Sequence, residues 1–210
     1  MRNTWALLTV VISAVLCGCA ATSLKQTWKS PDYQGGPVQK IAVLVMAEQE
    51  LQRSALENSY VNGLQGHGQA AMITHNLLKL EDIKADKQAA ARQLREAGAD
   101  TILIVRVADR VTHDQQIRVA PDRFSSGGDS FGTADWHDYY MTGATSMDTA
   151  WGELRQDIYL DNSMHDLNSG KRLWFGVTQT VMKQGTDWLA EIKPLTTKVL
   201  AALRKDGMIR

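Results

Sequence analysis

The chain has 210 residues, no formal net charge, 44% hydrophobic residues, 16 glycines and 4 prolines. That length suits one ordinary domain with a short appendage, large enough to bury a core without help from disulfides or metals. A neutral chain lacks the basic surface that polyanions require, so no nucleic-acid partner is expected, and its apolar fraction excludes a disordered protein.

Arg2 is the only charge before an apolar run of twelve residues, Trp5 to Leu16. A spanning helix needs about twenty apolar residues, so this run reads as the core of a signal peptide, not an anchor helix. The only two cysteines, Cys17 and Cys19, close it, and Leu16-Cys17-Gly18-Cys19 resembles a bacterial lipobox with Cys19 as the lipid acceptor. The resemblance implies cleavage after Gly18 and a thioether at Cys19 carrying acyl chains such as palmitate. Losing Arg2 then leaves 22 Lys+Arg against 23 Asp+Glu and no free thiol, which excludes a cysteine nucleophile, a disulfide or a thiolate metal site. Several acyl chains, at about 0.8 kcal/mol per buried methylene, make attachment effectively permanent. Ala20 in place of an Asp resembles the signal for sorting to the outer membrane. The expected location is that membrane, facing the periplasm, or the cell membrane of a Gram-positive cell.

Residues 19–37 read as a lipidated N-terminus and linker, polar and punctuated by Pro31, Gly35, Gly36 and Pro37. Trp28 and Tyr33 argue that its latter part packs on the domain. Val38 to Met46 ends in a continuous apolar run, the mark of a strand buried on both faces. Gln49 to Gln65 carries Leu56, Tyr60 and Leu64 at helical spacing, and Gly66-His67-Gly68 stops it. Ala70 to Thr74 is a short strand. Asp82 to Ala97 reads as one helix with Ile83, Ala90, Leu94 and Ala97 inward and Gly98 as its stop. Thr101 to Val107 is a third strand with both faces buried. Two strand–helix–strand units imply a parallel core.

Alternation then replaces continuous runs. Val111, Ile117 and Val119, then Ile158, Leu160 and Met164, then Leu173, Phe175 and Val177 predict antiparallel strands with one wet face. Asp166 to Lys171 joins the last two as a hairpin turn. Leu189, Ile192, Leu195, Val199 and Leu203 form a closing helical stripe, in which Pro194 predicts a kink or a start near Lys193. Between these elements, 121–147 is a long loop with almost nothing to bury apart from its aromatics. The domain reading is therefore 1–18 signal peptide, 19–37 lipidated linker and 38–210 one domain. Its fold class is α/β (α+β), a mixed sheet with a parallel βαβαβ core, added antiparallel strands and a C-terminal helix.

Several short segments recur in a familiar order: Trp28-Lys-Ser-Pro-Asp-Tyr33 with Gly35-Gly36-Pro37, Lys40 to Leu44, Leu77-Leu78, Ala97-Gly-Ala-Asp100, Ser169 to Trp174, and Leu203 to Gly207. In this order the chain resembles the bacterial lipoproteins grouped as domain of unknown function 4136, over about Trp28 to Ile209. It departs from their pattern at Ile73 and His75, where Pro and Tyr are usual. The resemblance implies export, lipidation and an α/β domain, and brings no catalytic residues.

Candidate chemistry is sparse. Gly128-Asp-Ser130-Phe-Gly132 matches the Gly-x-Ser-x-Gly pattern, but glycines and Pro121 precede it and no amphipathic helix follows, so a strand–elbow–helix context is missing. The five histidines, 67, 75, 113, 137 and 165, include no pair at ligand spacing. His113 and His165 fall on antiparallel strands, where, with Asp161 or Asp114, they form the one candidate metal group; solvated-face histidines are the preferred reading. Asp166 to Gly170 opens like a calcium loop but lacks the distal Glu. No glycine loop follows the first strand, and Glu48 and Glu50 repel a phosphate there. Trp136, Tyr139 and Tyr140 stand in a polar loop and form the candidate partner surface. The expectation is a lipid-anchored, non-enzymatic interaction module with no cofactor, metal or catalytic residue. Its partners are the membrane, through the N-terminal lipid, and an envelope protein. The alternatives are a binder of a small ligand or cell-wall glycan, or a serine hydrolase using Ser130.

Overall fold

A computed structural model of the protein describes residues 21–47, 49–112, 155–183 and 186–210. Cys19, the 121–147 loop and its Ser130, Trp136, Tyr139 and Tyr140 lie outside the described residues, as do His113 and His137. The elements run β1 (Ala21–Lys29), β2 (Lys40–Val45), α1 (Glu50–Gly66), β3 (Ala70–Ile73), α2 (Leu80–Ala85), α3 (Lys87–Glu96), β4 (Thr101–Thr112), β5 (Arg155–Asp166), β6 (Arg172–Lys183) and α4 (Trp188–Lys205). Six strands form one mixed sheet in the order β1-β6-β5-β4-β2-β3. β2 pairs in parallel with β3 and β4, and the β4–β5, β5–β6 and β6–β1 pairs are antiparallel.

The continuous apolar run of β2 has the physical basis expected of it. Ile41, Val43 and Val45 point into one core, with Tyr60 and Leu64 of α1 and Val199 and Leu203 of α4. Ala42 and Leu44 point into another, with Ile83 of α2 and Ala90 and Leu94 of α3. The α1 crossover and the α2–α3 crossover therefore lie on opposite faces, as two crossovers of one hand require when β2 sits between β3 and β4. Among the described residues, no helix is long and apolar enough to cross a membrane.

Five expectations change in detail. Residues 21–29 are a strand, not linker: β1 pairs along β6 from Ala21–Val181 to Lys29–Trp174, with a bulge between Leu24 and Gln26. An edge strand needs only one neighbour and little apolar alternation, so its polar sequence concealed it, and the exposed Lys25 suits such an edge. The helix read over 82–97 is two helices, because Asp86 leaves helical geometry at φ −147° and its side chain accepts the Ala89 N–H to start α3. Val111 continues β4, which bulges between Val107 and Asp109, and does not begin a separate strand. α4 starts at Trp188, where Asp187 accepts the Leu189 N–H, and runs on through Pro194. The fifth change is that β5 has no wet face in its described part, since Asp157, Asp161, Asn162, Ser163 and His165 are all buried.

The opposite end of the sheet from the β2 and β4 C-termini is closed by polar clamps. The Asp100 carboxylate accepts the Gln39 and Lys40 N–H groups at 2.9 Å each, and Lys40 Nζ donates to the Ala97 carbonyl at 2.7 Å. Gly98, at φ +86°, makes the turn between them. Trp174 Nε1 donates to Asp206 at 2.7 Å, and Lys29 Nζ donates to the Asp206 carbonyl at 2.8 Å. The buried Trp174 ring lies across Gly176 on the same strand, where an added Cβ would collide with it. Gly176→Ala is expected to destabilise by about 1–3 kcal/mol through overpacking, read as a lowered urea midpoint with unchanged slope.

Candidate functional site

In a doubly wound sheet the crevice beyond the C-terminal ends of the parallel strands is where ligands usually bind, against helix N-termini and free backbone N–H groups. Here that crevice is filled from within. Glu57, on α1, is fully buried beneath the ends of β2 and β3. Its Oε1 accepts from Val45 N–H at 3.2 Å, Arg53 Nε at 3.1 Å and the Thr74 hydroxyl at 3.0 Å. Its Oε2 accepts from Thr74 N–H, His75 N–H and His75 Nδ1, each at 2.8 Å. A carboxylate only accepts, so Nδ1 of His75 carries the proton. Arg53, also buried, extends the network by donating to the Leu78 carbonyl at 2.9 Å.

Six donors on two oxygens leave this carboxylate no free direction, and no exposed surface through which to reach a substrate. It performs internally the role that an anionic ligand plays in doubly wound nucleotide-binding proteins in general: it satisfies the loop N–H groups. Sequence inspection missed it, although a signal was present. Arg53 and Glu57 continue the Tyr60–Leu64 stripe toward the helix start at four- and three-residue spacing, so both were on the inward face.

Of the metal candidate, His113 and Asp114 lie outside the described residues, and the two described members serve other partners. Asp161 is opposite Arg106 in the β4–β5 register and takes its guanidinium at 3.0 and 3.2 Å. His165 pairs with Ile102, whereas Thr112, the neighbour of His113 in sequence, pairs with Gln156 near the far end of β5. Nor is His165 a solvated-face residue. It is fully buried, bonded through Nε2 to the Ser163 hydroxyl at 2.7 Å and through Nδ1 to the Gly170 carbonyl at 3.3 Å. Burial first, and Arg172 second, push its pKa down to about 3, against a raising contribution from Gly170. It is a neutral brace of the β5–β6 hairpin. In that hairpin Asp166 Oδ1 accepts from the Asn168 and Ser169 N–H groups and the Ser169 hydroxyl, so its turn uses the oxygen a cation would need. Among the described residues no group of three His, Cys, Asp or Glu side chains converges.

One cavity, of about 40 Å³, lies between α1, α4 and the sheet, lined by Leu56, Val107, Ile158, Met182, Trp188, Ile192 and neighbours. It is almost wholly apolar and far below the several hundred Å³ of a typical ligand site. Tyr60, whose hydroxyl donates to Asn162 beneath this layer, has its pKa raised by burial, so it offers no proton to chemistry near neutrality.

No family model and no curated protein sequence matches the chain, so the likeness to the domain-of-unknown-function lipoproteins rests on its residues alone. Among solved structures, the chain is similar to the PelC dodecamer of Paraburkholderia phytofirmans at 12% identity and a TM-score of 0.49, covering 90% of this chain and 100% of that one. It is also similar to lipoprotein GNA1162 of Neisseria meningitidis at 13% identity and a TM-score of 0.42, covering 80% and 99%. Likenesses at this level carry no role across.

Two outcomes test the buried groups. Glu57→Ala strands Arg53 and three backbone N–H groups in the interior and is expected to cost about 3–5 kcal/mol in urea unfolding, with Glu57→Gln costing less. His165 is neutral when folded and protonates near its ordinary pKa when unfolded, so stability is full above about pH 6.5 and falls as pH drops toward the folded value. His165→Gln is expected to flatten that fall by up to about 1.4 kcal/mol per pH unit between about pH 6 and 4, measured by denaturation across pH.

Proposed function

We propose that the protein is a lipid-anchored envelope lipoprotein that works as a non-enzymatic interaction module, held at the outer membrane and facing the periplasm. The observation that carries the non-enzymatic part is the Glu57 network: where this architecture would hold a substrate, the chain has placed its own saturated carboxylate. The anchoring part rests on the Leu16-Cys17-Gly18-Cys19 motif after its apolar run. β1 adds to it, because Ala21 already belongs to the sheet and only two peptide units separate it from Cys19. The lipid therefore reaches no more than about 7 Å beyond the start of β1. The partner surface in this reading is the aromatic set Trp136, Tyr139 and Tyr140, which can supply large contact area in a polar segment. The resemblance to the domain-of-unknown-function family is part of the same proposal.

Acyl labelling and a serine-hydrolase probe test both halves. Cys19→Ala is expected to lose fatty-acid labelling and leave precursor or unanchored protein, while Cys17→Ala keeps the label. The purified protein is expected to give no adduct with a fluorophosphonate probe. Stoichiometric labelling that disappears in Ser130→Ala would replace the module with a hydrolase.

A further inference from the structure

We infer that the end of the sheet at which β1 begins lies flat on the bilayer, with Leu51, Leu77 and Leu189 dipping among the lipid headgroups. This deepens the anchored reading above and rests on it. Ala21 pairs with Val181, two residues before the end of β6, so the chain leading back to Cys19 leaves the fold at the end where the parallel strands finish. α1 follows β2 and α4 follows β6, so both helices start at this end; they lie side by side, with the Ser59 and Thr196 hydroxyls 3.0 Å apart.

Their first turns hold the apolar residues. Leu51 is 67% exposed in the first turn of α1 and Leu189 is 44% exposed in the first turn of α4. Leu77, 41% exposed, stands in the segment just after β3, at the same end. Among the described residues the only other large apolar side chain so exposed is Leu24, at 37%, in the half of β1 nearer this end. The opposite end presents the exposed Asn168, Ser169 and Lys171 instead. The helix dipole favours acidic residues in first turns and gives no reason for an exposed leucine there. Glu50 and Asp187 flank the leucines, so attraction to anionic lipid is not what holds this face down; headgroup ammonium groups would suit those carboxylates. A tether of two residues keeps the face at high effective concentration over the membrane, so shallow apolar contacts are enough to orient a domain that is already attached.

The test uses the lipidated full-length chain in phosphatidylcholine vesicles, with a fluorophore on a single introduced cysteine at Asn76→Cys, Ala190→Cys or Asn168→Cys, and nitroxide-bearing lipid as quencher. The first two sites neighbour Leu77 and Leu189, and the third is in the β5–β6 turn. Quenching at 76 and 190 is expected to be several-fold that at 168, and to fall to the level at 168 when Leu51, Leu77 and Leu189 are all replaced by Glu. Equal or stronger quenching at 168 in protein that floats with vesicles overturns the orientation and leaves the anchor standing. So does protection at 76 and 190 from both lipid-borne nitroxide and aqueous iodide, which marks a protein covering that face. Protein without acyl mass on Cys19 that fails to float overturns the anchored reading and this inference with it.

Discussion

The buried Glu57 carboxylate is the constraint on which the parallel half of the sheet depends. A parallel sheet with helices on both faces ends in loops whose N–H groups face inward, and each such group left unpaired costs a kilocalorie or more. Glu57 gathers three of them from two strand ends and ties both ends to α1. Arg53 balances its charge and reaches the loop after β3. The register of β2 against β3, only four residue pairs long, is thus fixed at its C-terminal end by side-chain bonds more than by strand length. A network of this kind also trades ligand capacity for rigidity, because the donors that would hold an anion are already taken.

Polar clamps do the equivalent work at the other end, and there they coincide with the segments that carry the family resemblance. Lys40 and Asp100 bind each other's turn, Trp174 and Lys29 meet at Asp206, and Gly98 and Gly207 adopt left-handed φ to let the chain turn. These residues stand out in the sequence because each has a geometric task in the fold. Their tasks are structural and say nothing of chemistry.

What was legible in the sequence followed from periodicity. Ile41–Val45 and Thr101–Val107 read as strands with two buried faces because both faces are apolar, and the Leu56–Tyr60–Leu64 and Leu195–Val199–Leu203 stripes fixed which side of each helix turns inward. Illegible features were those stabilised by pairing. β1 depends on backbone bonds to β6 and on pairs such as Thr22 with Thr180, so its composition resembles a linker. Asp157 and Asp161 mimic solvent-facing positions, yet Asp157 accepts from the Gln179 amide and Asp161 takes the Arg106 guanidinium across the strands. Asp86 broke a helix that periodicity made continuous, because a capping side chain outweighs one more turn. The candidate site suffered in the same way: Glu57 was inward by spacing, but an acidic residue on a stripe is easily taken for its polar border.

The strand that sequence concealed also determines how attachment to a membrane acts on this fold. Had residues 19–37 been a free linker, an extended chain of that length could have spanned about 60 Å and left the domain free to tumble. With β1 bonded along β6 from Ala21 to Lys29, pulling on the N-terminus loads a nine-residue ladder in shear, and an anchor at Cys19, as proposed, would be a feature of the sheet. Two helix starts and the ends of the parallel strands share a side with the start of β1, while the clamped end carrying Asp100, Trp174 and Asp206 lies opposite. β4 also ends and β5 also begins at this end, where Thr112 pairs with Gln156. An anchor at Cys19, as proposed, would hold this end toward the membrane, so the same geometry that removes a long tether would also orient the sheet.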